Sequence, residues 1–460
     1  MMYDLIIKNG TILTSQKIFK SEIAVKNEKI VEIAKKIQGS AKEVIDASGL
    51  YVMPGGIDVH VHFENVFSGY TIADDFESGS ISAAAGGVTT FIDFANQDPK
   101  TGLLGGVKQR IAQAAKKSCV DFSVHATITD WSLKTKKQMQ ACIDFGVPSF
   151  KMFTIYEERG LKSEDHEIFQ ALEESKKKGA LIMIHAESEK VMNHLIEKYS
   201  KDMKKFGAYA HALSRPNYIE AEAVSRMIKW AEVTKGNLYI VHMSTGEASD
   251  LIKNAKSKGL NVDAETSPIY LTLTDDLFKK ENGHFYATCP QLKKKKDCTR
   301  LWQGLKAEIE IISTDTCPFS IKDKNKWKGD FRKIAYGLPG VETMIPILYT
   351  EGVLKEKVSL KRFVSLVSEN PAKKFGLYPK KGCIEVGADA DFTIFHPTKK
   401  KLVKAKNLKS KCDFSPFEGK KLAAFPEYTI LRGRTIYQNE QCFASKGSGK
   451  LLRRKLLIKR

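Results

Sequence analysis

The sequence predicts an α/β protein built from a (β/α)8 TIM barrel and a small β-sandwich domain. Two observations predict this fold. Between residues 52 and 376, eight apolar, β-rich runs alternate with helical patterns, as expected of repeated βα units around a buried parallel sheet. On both sides of this region lie short strand-and-turn segments. A length of 460 residues suits one large core with an accessory domain, and a doubly wound open sheet is the structural alternative.

The eight runs are the predicted barrel strands. In chain order they are GIDVHVHF, VTTFIDF, VDFSVHATI, VPSFKMF, ALIMIHA, NLYIVHM, NVDAETS and IEIISTD. The segments between them are mostly helical in pattern, as in SRPNYIEAEAVSRMIKWAEV. Eight such repeats match the strand number of a TIM barrel, and the region is long enough for that barrel with insertions.

The two ends of the chain are predicted to build one β-sandwich together. Strand patterns occur in YDLIIKNGTIL and SEIAVKNEKIVEI near the start, and in VGADADFTIFHP and EYTILRGRTIYQN near the end. We therefore expect a composite sandwich from residues 1–51 and 377–440, a catalytic barrel from 52–376 and a basic tail from 441–460. Residues 446–460 include seven basic side chains and no acidic one, which predicts a solvated, disordered end without an assigned function.

Composition excludes several classes of protein. Hydrophobic content is 42% and charged content 28%, and no apolar run reaches the length of about 18 residues that spans a bilayer. The start, MMYDLIIKNG, has no secretory pattern, and the eight cysteines form no CxxC pair, which favours reduced thiols in the cytoplasm. The net charge is +20, but no nucleic-acid-binding motif accompanies it. We expect neither a nucleic-acid nor a membrane partner.

Metal-ligating side chains lie at the ends of several predicted strands. In a TIM barrel these ends form the active face. In the first run, His60 and His62 point to one face because side chains alternate along a strand, and this spacing suits chelation of one ion. The other candidates are Lys151, His185, His242 and Asp315. We expect His125 to be a packing residue. A surface or structural role is expected for the remaining histidines, which are His166, His194, His211, His284 and His396.

Several stretches of this sequence resemble the amidohydrolase superfamily, and within it the hydantoinase and dihydropyrimidinase group. They are PGGIDVHVHF, SFKMFTIY, MIHAES, SRPNYIEAEAVSRM, IVHMSTGEA, ETSPIYLT, STDTCPF, GLPGVETM and NPAKKFGLYPKKGCIEVGADADF. The last two are long enough to be specific to the group. The resemblance covers nearly the whole chain, and it implies a homo-oligomer, in this group a tetramer.

The resemblance implies two divalent metal ions, with zinc the first choice for a mixed imidazole and carboxylate set. The implied ligands are His60 and His62 on one ion, His185 and His242 on the other, Lys151 as a bridging carbamate, and Asp315 completing the first. An ammonium group cannot bind a cation. Lys151 is therefore expected to react with carbon dioxide, and its apolar neighbours Phe150, Met152 and Phe153 fit poorly with a solvated lysine.

The resemblance also implies the reaction, in which a small cyclic amide, a dihydropyrimidine or hydantoin ring, opens to an N-carbamoyl amino acid. A metal-bridging hydroxide would attack a ring carbonyl, and Asp315 would carry the proton to the departing nitrogen. Tyr156 matches the tyrosine that donates a hydrogen bond to the developing oxyanion. Substrate contacts fall on Cys289, where the group has Ser-Pro-Pro-Leu-Arg and this chain has CPQLK, and on Tyr336, where Pro-Asn-Gly becomes AYG. We expect Tyr336 to narrow the pocket.

Two other functions remain open at this point. Allantoinases and dihydroorotases would use a similar site, although the tyrosine spacing in KMFTIY favours the hydantoinase group. The other is a non-catalytic scaffold that resembles dihydropyrimidinases but has lost metal ligands. All six ligand positions are present in this chain, which argues against the scaffold.

Overall fold

The computed structural model describes residues 2–67 and 69–456. The strands are β1 (Met2–Lys8), β2 (Thr11–Leu13), β3 (Ile18–Lys20), β4 (Glu22–Lys26), β5 (Lys29–Ala34), β6 (Ser40–Asp46), β7 (Tyr51–Pro54), β8 (Gly56–Val61), β9 (Val66–Phe67), β10 (Tyr70–Thr71), β11 (Val88–Asn96), β12 (Asp121–Thr127), β13 (Ser149–Phe153), β14 (Leu181–His185), β15 (Leu238–Ile240), β16 (Val262–Thr266), β17 (Ile311–Ile312), β18 (Phe392–Phe395), β19 (Lys400–Leu402), β20 (Lys421–Ala423), β21 (Pro426–Leu431), β22 (Arg434–Gln438) and β23 (Gln441–Cys442).

The α-helices follow most of the barrel strands. They are α1 (Phe76–Ala85), α2 (Gly102–Lys117), α3 (Leu133–Phe145), α4 (Asp165–Lys178), α5 (Glu189–Ser200), α6 (Met203–Phe206), α7 (Tyr209–Leu213), α8 (Asn217–Thr234), α9 (Gly246–Ser257), α10 (Pro268–Thr272), α11 (Lys295–Gly304), α12 (Ile321–Lys324), α13 (Met344–Leu348), α14 (Leu360–Val364) and α15 (Asn370–Lys374). None of the helices in the described ranges is both long enough and apolar enough to cross a bilayer.

Eight parallel strands form the barrel, in the order β8, β11, β12, β13, β14, β15, β16 and β17. Seven of the predicted runs contain one of them, and β11 extends two residues beyond the run VTTFIDF. The first strand meets the segment after the last through a parallel bridge between Val61 and Thr316, and the His62 amide donates to the Thr316 carbonyl at 2.9 Å. This contact closes the barrel, and the predicted fold class is confirmed.

Alternation along the barrel strands separates two apolar layers. In β11, Ile92 and Phe94 belong to the cluster inside the barrel, while Phe91 and Ala95 pack in the layer beneath the helices. Both sets are buried because a parallel sheet is covered on both faces. The strands therefore read as continuous apolar runs, which made them visible in the sequence.

Both ends of the chain contribute to a two-sheet sandwich. One sheet has the order β5, β4, β1 and β6, and the other runs β3, β2, β7, β18, β21, β22 and β23. Their facing side chains share one buried cluster that includes Leu5 and Val25 from the first sheet and Ile394 and Ile430 from the second. The limits of the three predicted regions stay a prediction. Within the second sheet, β7 pairs with β18 and β23 pairs with β22.

The expectation of a disordered basic tail is wrong for the described part of that segment, although most of its cations are exposed. The Lys450 amide donates to Asp121 at 2.8 Å, and the Leu452 amide donates to the Phe122 carbonyl at 2.7 Å. Arg454 is 3% exposed, and its Nε donates to Ser123 at 2.9 Å beside β12. Apolar leucines between the cations drive this packing. Residues 457–460 of the predicted tail lie outside the described residues.

A buried ion cluster joins the barrel to the sandwich. The Lys381 ammonium lies 2.6 Å from Asp121, 2.6 Å from Asp391 and 3.0 Å from Asp389. Asp121 also pairs with Arg432. The side chain of Lys381 is 1% exposed, and the three carboxylates raise its pKa above the ordinary value, although burial opposes them. The ammonium occupies the place that a metal ion would take among these carboxylates.

Candidate metal centre

Three of the predicted ligands meet where the first and last barrel strands end. The Nε2 atoms of His60 and His62 each lie 3.2 Å from Oδ1 of Asp315, and the two imidazole centroids are 5.2 Å apart. His60 is buried, while the side chains of His62 and Asp315 keep 16% and 11% of their exposure. This group can hold a metal ion, and its partly exposed side faces solvent.

Two further histidines form a second group beside the first. Nδ1 of His185 lies 2.9 Å from Nε2 of His242, and the His242 ring is 5.3 Å from the His60 ring. Both side chains are buried. Two ring nitrogens that face each other this closely can share a proton or a cation. The structure therefore brings together all four predicted histidines at the carboxyl ends of the barrel strands.

Lys151 lies in β13 within an aromatic enclosure. It is 2% exposed, and its ammonium nitrogen is 4.8 Å from the ring centroid of Phe153 and 5.6 Å from that of Phe94. Within residues 2–67 and 69–456, this nitrogen has no hydrogen bond or ion pair. Burial lowers its pKa below the ordinary lysine value, while Asp315 and Glu265 oppose that shift. The lowered pKa increases the share of neutral amine, which is the form that reacts with carbon dioxide.

Two buried glutamates behind the histidines set their tautomers. Nδ1 of His60 donates to Glu265, which also accepts from the Tyr239 hydroxyl at 2.9 Å. Nε2 of His185 donates to Glu187 at 2.9 Å. The remaining nitrogen of each ring, Nε2 of His60 and Nδ1 of His185, is left with a free lone pair toward the centre. Carboxylates in this role are typical of metal-binding histidines, so the donor set fits divalent ions.

The sequence interpretation missed both glutamates. Glu187 lies two residues after His185, and Glu265 lies two residues before the end of the seventh predicted run, NVDAETS. Carboxylates at the ends of predicted barrel strands were the signal that could have found them, because strand ends share one face of the barrel.

Protonation in the centre favours metal binding. Burial lowers the pKa of His60, His185 and His242 below the ordinary imidazole value, so these rings are neutral ligands at neutral pH. Burial alone would raise the pKa of Asp315, but the interactions of its ionised form with His60, His62 and Lys151 outweigh burial and hold that pKa below its usual value. The carboxylate is therefore ionised.

Three of the predicted site residues adopt left-handed backbone conformations. The φ angles are +74° at Tyr156, +37° at His242 and +52° at Asp315. This region is sparsely used by residues other than glycine, and such positions concentrate at functional sites. Each of these residues follows the end of a barrel strand, where the chain turns away from the sheet and aims the side chain at the centre.

A cleft lies over the metal-ligating side chains. Tyr156, Cys289 and Tyr336, the predicted substrate contacts, all line it. The Tyr156 ring is 5.5 Å from the His185 ring, and burial raises the Tyr156 pKa well above its ordinary value. The Cys289 thiol donates to Glu187 at 3.2 Å, and burial raises its pKa to about 12. Both groups stay protonated at neutral pH and can donate hydrogen bonds.

Tyr336 forms part of the cleft wall. Its ring stacks on His211 with centroids 4.6 Å apart, and the Arg215 guanidinium lies 5.3 Å from its centroid. The Tyr336 hydroxyl donates to the Phe331 carbonyl at 3.3 Å. His211 is buried and bonded to the Thr288 carbonyl at 2.9 Å, which agrees with the structural role predicted for it. His125 is also buried, and its two nitrogens contact Ser149 and the Val59 carbonyl.

Comparison with known proteins agrees with this geometry. The amidohydrolase family model matches residues 51–434. A D-hydantoinase from Geobacillus stearothermophilus is 38% identical over 98% of this chain and 96% of its own length. A solved D-hydantoinase structure superposes with a TM-score of 0.96 at 35% identity, covering 99% of this chain and 100% of that one. The dihydropyrimidinase from Brevibacillus agri NCHU1002 gives a TM-score of 0.96 at 32% identity, with 99% of each chain covered.

The barrel, the metal-ligating site and the similarity to known proteins together define the class of this protein. The chain belongs to the amidohydrolase family. Within that family it falls in the hydantoinase and dihydropyrimidinase group, because relatives of both names match it over almost their entire lengths. The resemblance found from the sequence motifs is confirmed.

Proposed function

We propose that this protein is a metal-dependent hydrolase that opens a dihydropyrimidine or hydantoin ring to an N-carbamoyl amino acid. The observation that carries the proposal is the convergence of four imidazoles, Asp315 and Lys151 at the carboxyl end of the barrel, beneath a cleft. Its D-hydantoinase and dihydropyrimidinase relatives support the ring class.

Two divalent ions, with zinc as the first choice, fit the donor set. The residues that would hold them are His60, His62 and Asp315 for one ion and His185 and His242 for the other, with Lys151 as a carbamate between them. Bound there, the ions would activate a water molecule and polarise a ring carbonyl. The buried, unpaired amine of Lys151 supports the carbamate, since that modification would turn an isolated amine into an anionic ligand.

Protein groups on both sides of the centre would handle the proton and the developing charge. The ionised Asp315 carboxylate accepts a proton as water adds to the ring carbonyl, and it returns that proton to the ring nitrogen as the carbon–nitrogen bond breaks. The protonated Tyr156 hydroxyl donates to the carbonyl oxygen while negative charge builds on it. One water is consumed, and the product carries a new carboxylate and a carbamoyl group.

The alternatives predict different results. An allantoinase or dihydroorotase would share the centre but prefer another ring. A non-catalytic scaffold would not need Glu187 and Glu265, which hydrogen-bond to the metal-ligating rings of His185 and His60. The presence of these carboxylates argues against a scaffold.

The test combines metal analysis with a substrate panel. Protein reconstituted with zinc and bicarbonate should hold two metal ions per chain and show the mass of a carbamate under native conditions. It should hydrolyse dihydrouracil or a hydantoin faster than allantoin or dihydroorotate. Fewer than one ion per chain, or no turnover of any ring, would reject the proposal. The tetramer and the cytoplasmic location stay predictions, the first open to sedimentation analysis.

A further inference from the structure

Arg159 brings a positive charge to the cleft that the proposed chemistry does not use. It belongs to the one-turn helix Glu157–Arg159, in the loop between β13 and α4, and it lines the cleft. Apart from the six predicted metal ligands, Arg159 is the one charged side chain among the described residues that line this space. Most of the remaining lining is aromatic or aliphatic, so the charge is conspicuous there.

The guanidinium is held in place by an aromatic ring. Its central carbon lies 4.3 Å from the ring centroid of Tyr156, a distance at which the ring face attracts a cation. Tyr156 in turn contacts His185 of the metal centre. Arg159 is therefore positioned beside the residue proposed to contact the reacting carbonyl, rather than free to extend into solvent.

The charge of Arg159 is only loosely neutralised by the protein. Its nearest carboxylate is Glu158, with Nε 3.5 Å from Oε1, and that glutamate side chain is 67% exposed. Within the described ranges the guanidinium makes no hydrogen bond. Lys162, in the same loop, differs in this respect because it pairs with three carboxylates at 3.2 to 3.4 Å. Arg159 thus keeps unused donors at the edge of the cleft.

We infer that Arg159 is a specificity-determining residue that selects ring substrates carrying an anionic substituent, such as a carboxylate on a short side chain. This inference rests on the proposed ring hydrolysis and names its substrate class. A carboxylate matches the planar donor fork of arginine. The partly enclosed, largely apolar surroundings strengthen the pairing relative to water, while a neutral substituent would leave the guanidinium without a partner.

The experiment compares two substrates of the same shape. The metal-loaded enzyme is assayed with 5-(2-carboxyethyl)hydantoin and with its neutral amide, 5-(2-carbamoylethyl)hydantoin, with dihydrouracil as the unsubstituted reference. We expect kcat/KM to favour the carboxylate by about tenfold, mostly through KM. In Arg159→Gln the two values should come within about threefold of each other. Metal content and thermal unfolding of the variant report whether its fold is intact.

Lys190→Gln is the matched control. Lys190 pairs at 2.9 Å with Glu157, which lies in the same one-turn helix as Arg159. The side chain of Lys190 is 76% exposed and does not line the cleft. Removing this charge should leave the substrate ratio unchanged. A wild-type enzyme without a preference for the carboxylate, or an Arg159→Gln variant that keeps the preference, would overturn the inference while turnover of dihydrouracil still upheld ring hydrolysis. If no ring is hydrolysed at all, both fail.

Discussion

Asp315→Asn separates proton transfer from the structural roles of this carboxylate. The backbone at Asp315 has a φ of +52°, and asparagine is one of the few residues that tolerate this region. The substitution keeps the side-chain shape and one oxygen near His60 and His62, 3.2 Å away in the native protein. We therefore expect the free energy of unfolding to change by less than about 1 kcal/mol, since neither the fold nor the packing is altered.

The effect on turnover should be much larger. An amide cannot accept and return a proton, and a positioned acid or base contributes roughly 10² to 10⁴ in rate. We expect kcat for the preferred ring to fall at least about a hundredfold. Metal content should stay substantial because the histidines and Lys151 remain in place.

The assay measures kcat, metal content and the unfolding midpoint on the same preparation. Asp315→Glu is a useful companion, because it keeps the acid but moves it by one methylene. It should show an intermediate rate. A variant Asp315→Asn with normal metal content and more than about a tenth of wild-type kcat would refute the proton-transfer role. Loss of metal in parallel with activity would show instead that Asp315 acts chiefly as a ligand.

Four further substitutions, the last with a matched control, test other parts of the structure. Lys151→Ala should lose both metal ions and activity, with short carboxylic acids restoring part of each; full metal loading by elemental analysis would contradict the carbamate. Tyr156→Phe removes one oxyanion donor but leaves the metal-ligating groups, so kcat should fall by less than in Asp315→Asn, and an unchanged kcat would exclude that contact. Tyr336→Asn should raise kcat/KM for a bulky aryl hydantoin relative to dihydrouracil by about tenfold; an unchanged ratio would mean that the ring serves only to pack on His211. Lys381→Met removes the cation that three buried carboxylates share; Asp121 keeps Arg432 and Asp389 keeps Lys29, but Asp391 loses its ion pair, so the fold should be destabilised by about 3 kcal/mol in urea unfolding. Lys450→Met, whose partner Glu28 is partly exposed, should cost less than about 1 kcal/mol, and equal effects of the two would contradict the buried cluster.

The amino-acid sequence by itself determined the barrel and the histidines of the centre. Strands buried on both faces must be apolar throughout, so all eight barrel strands were readable as runs. Since the carboxyl ends of parallel strands meet on one face, polar residues such as His60 and His185 at the ends of those runs could be placed together without coordinates. The carbamate role of Lys151 came from the resemblance of motifs and not from spacing.

Contacts between distant residues were decided only by the tertiary structure. Glu265 of β16 contacts His60 of β8, and no local pattern joins residues so far apart in the chain. The basic segment near the end was expected in solvent, because a charge count does not show that Arg454 finds buried acceptors at Ser123 and the Val124 carbonyl. Arg159 lies in a loop rich in charged residues, and the local sequence does not distinguish it from its charged neighbours. Its position over Tyr156 depends on how that loop packs against the cleft. Side chains from separate elements pack according to the three-dimensional fold, and the residues next to Arg159 in the sequence do not determine that packing.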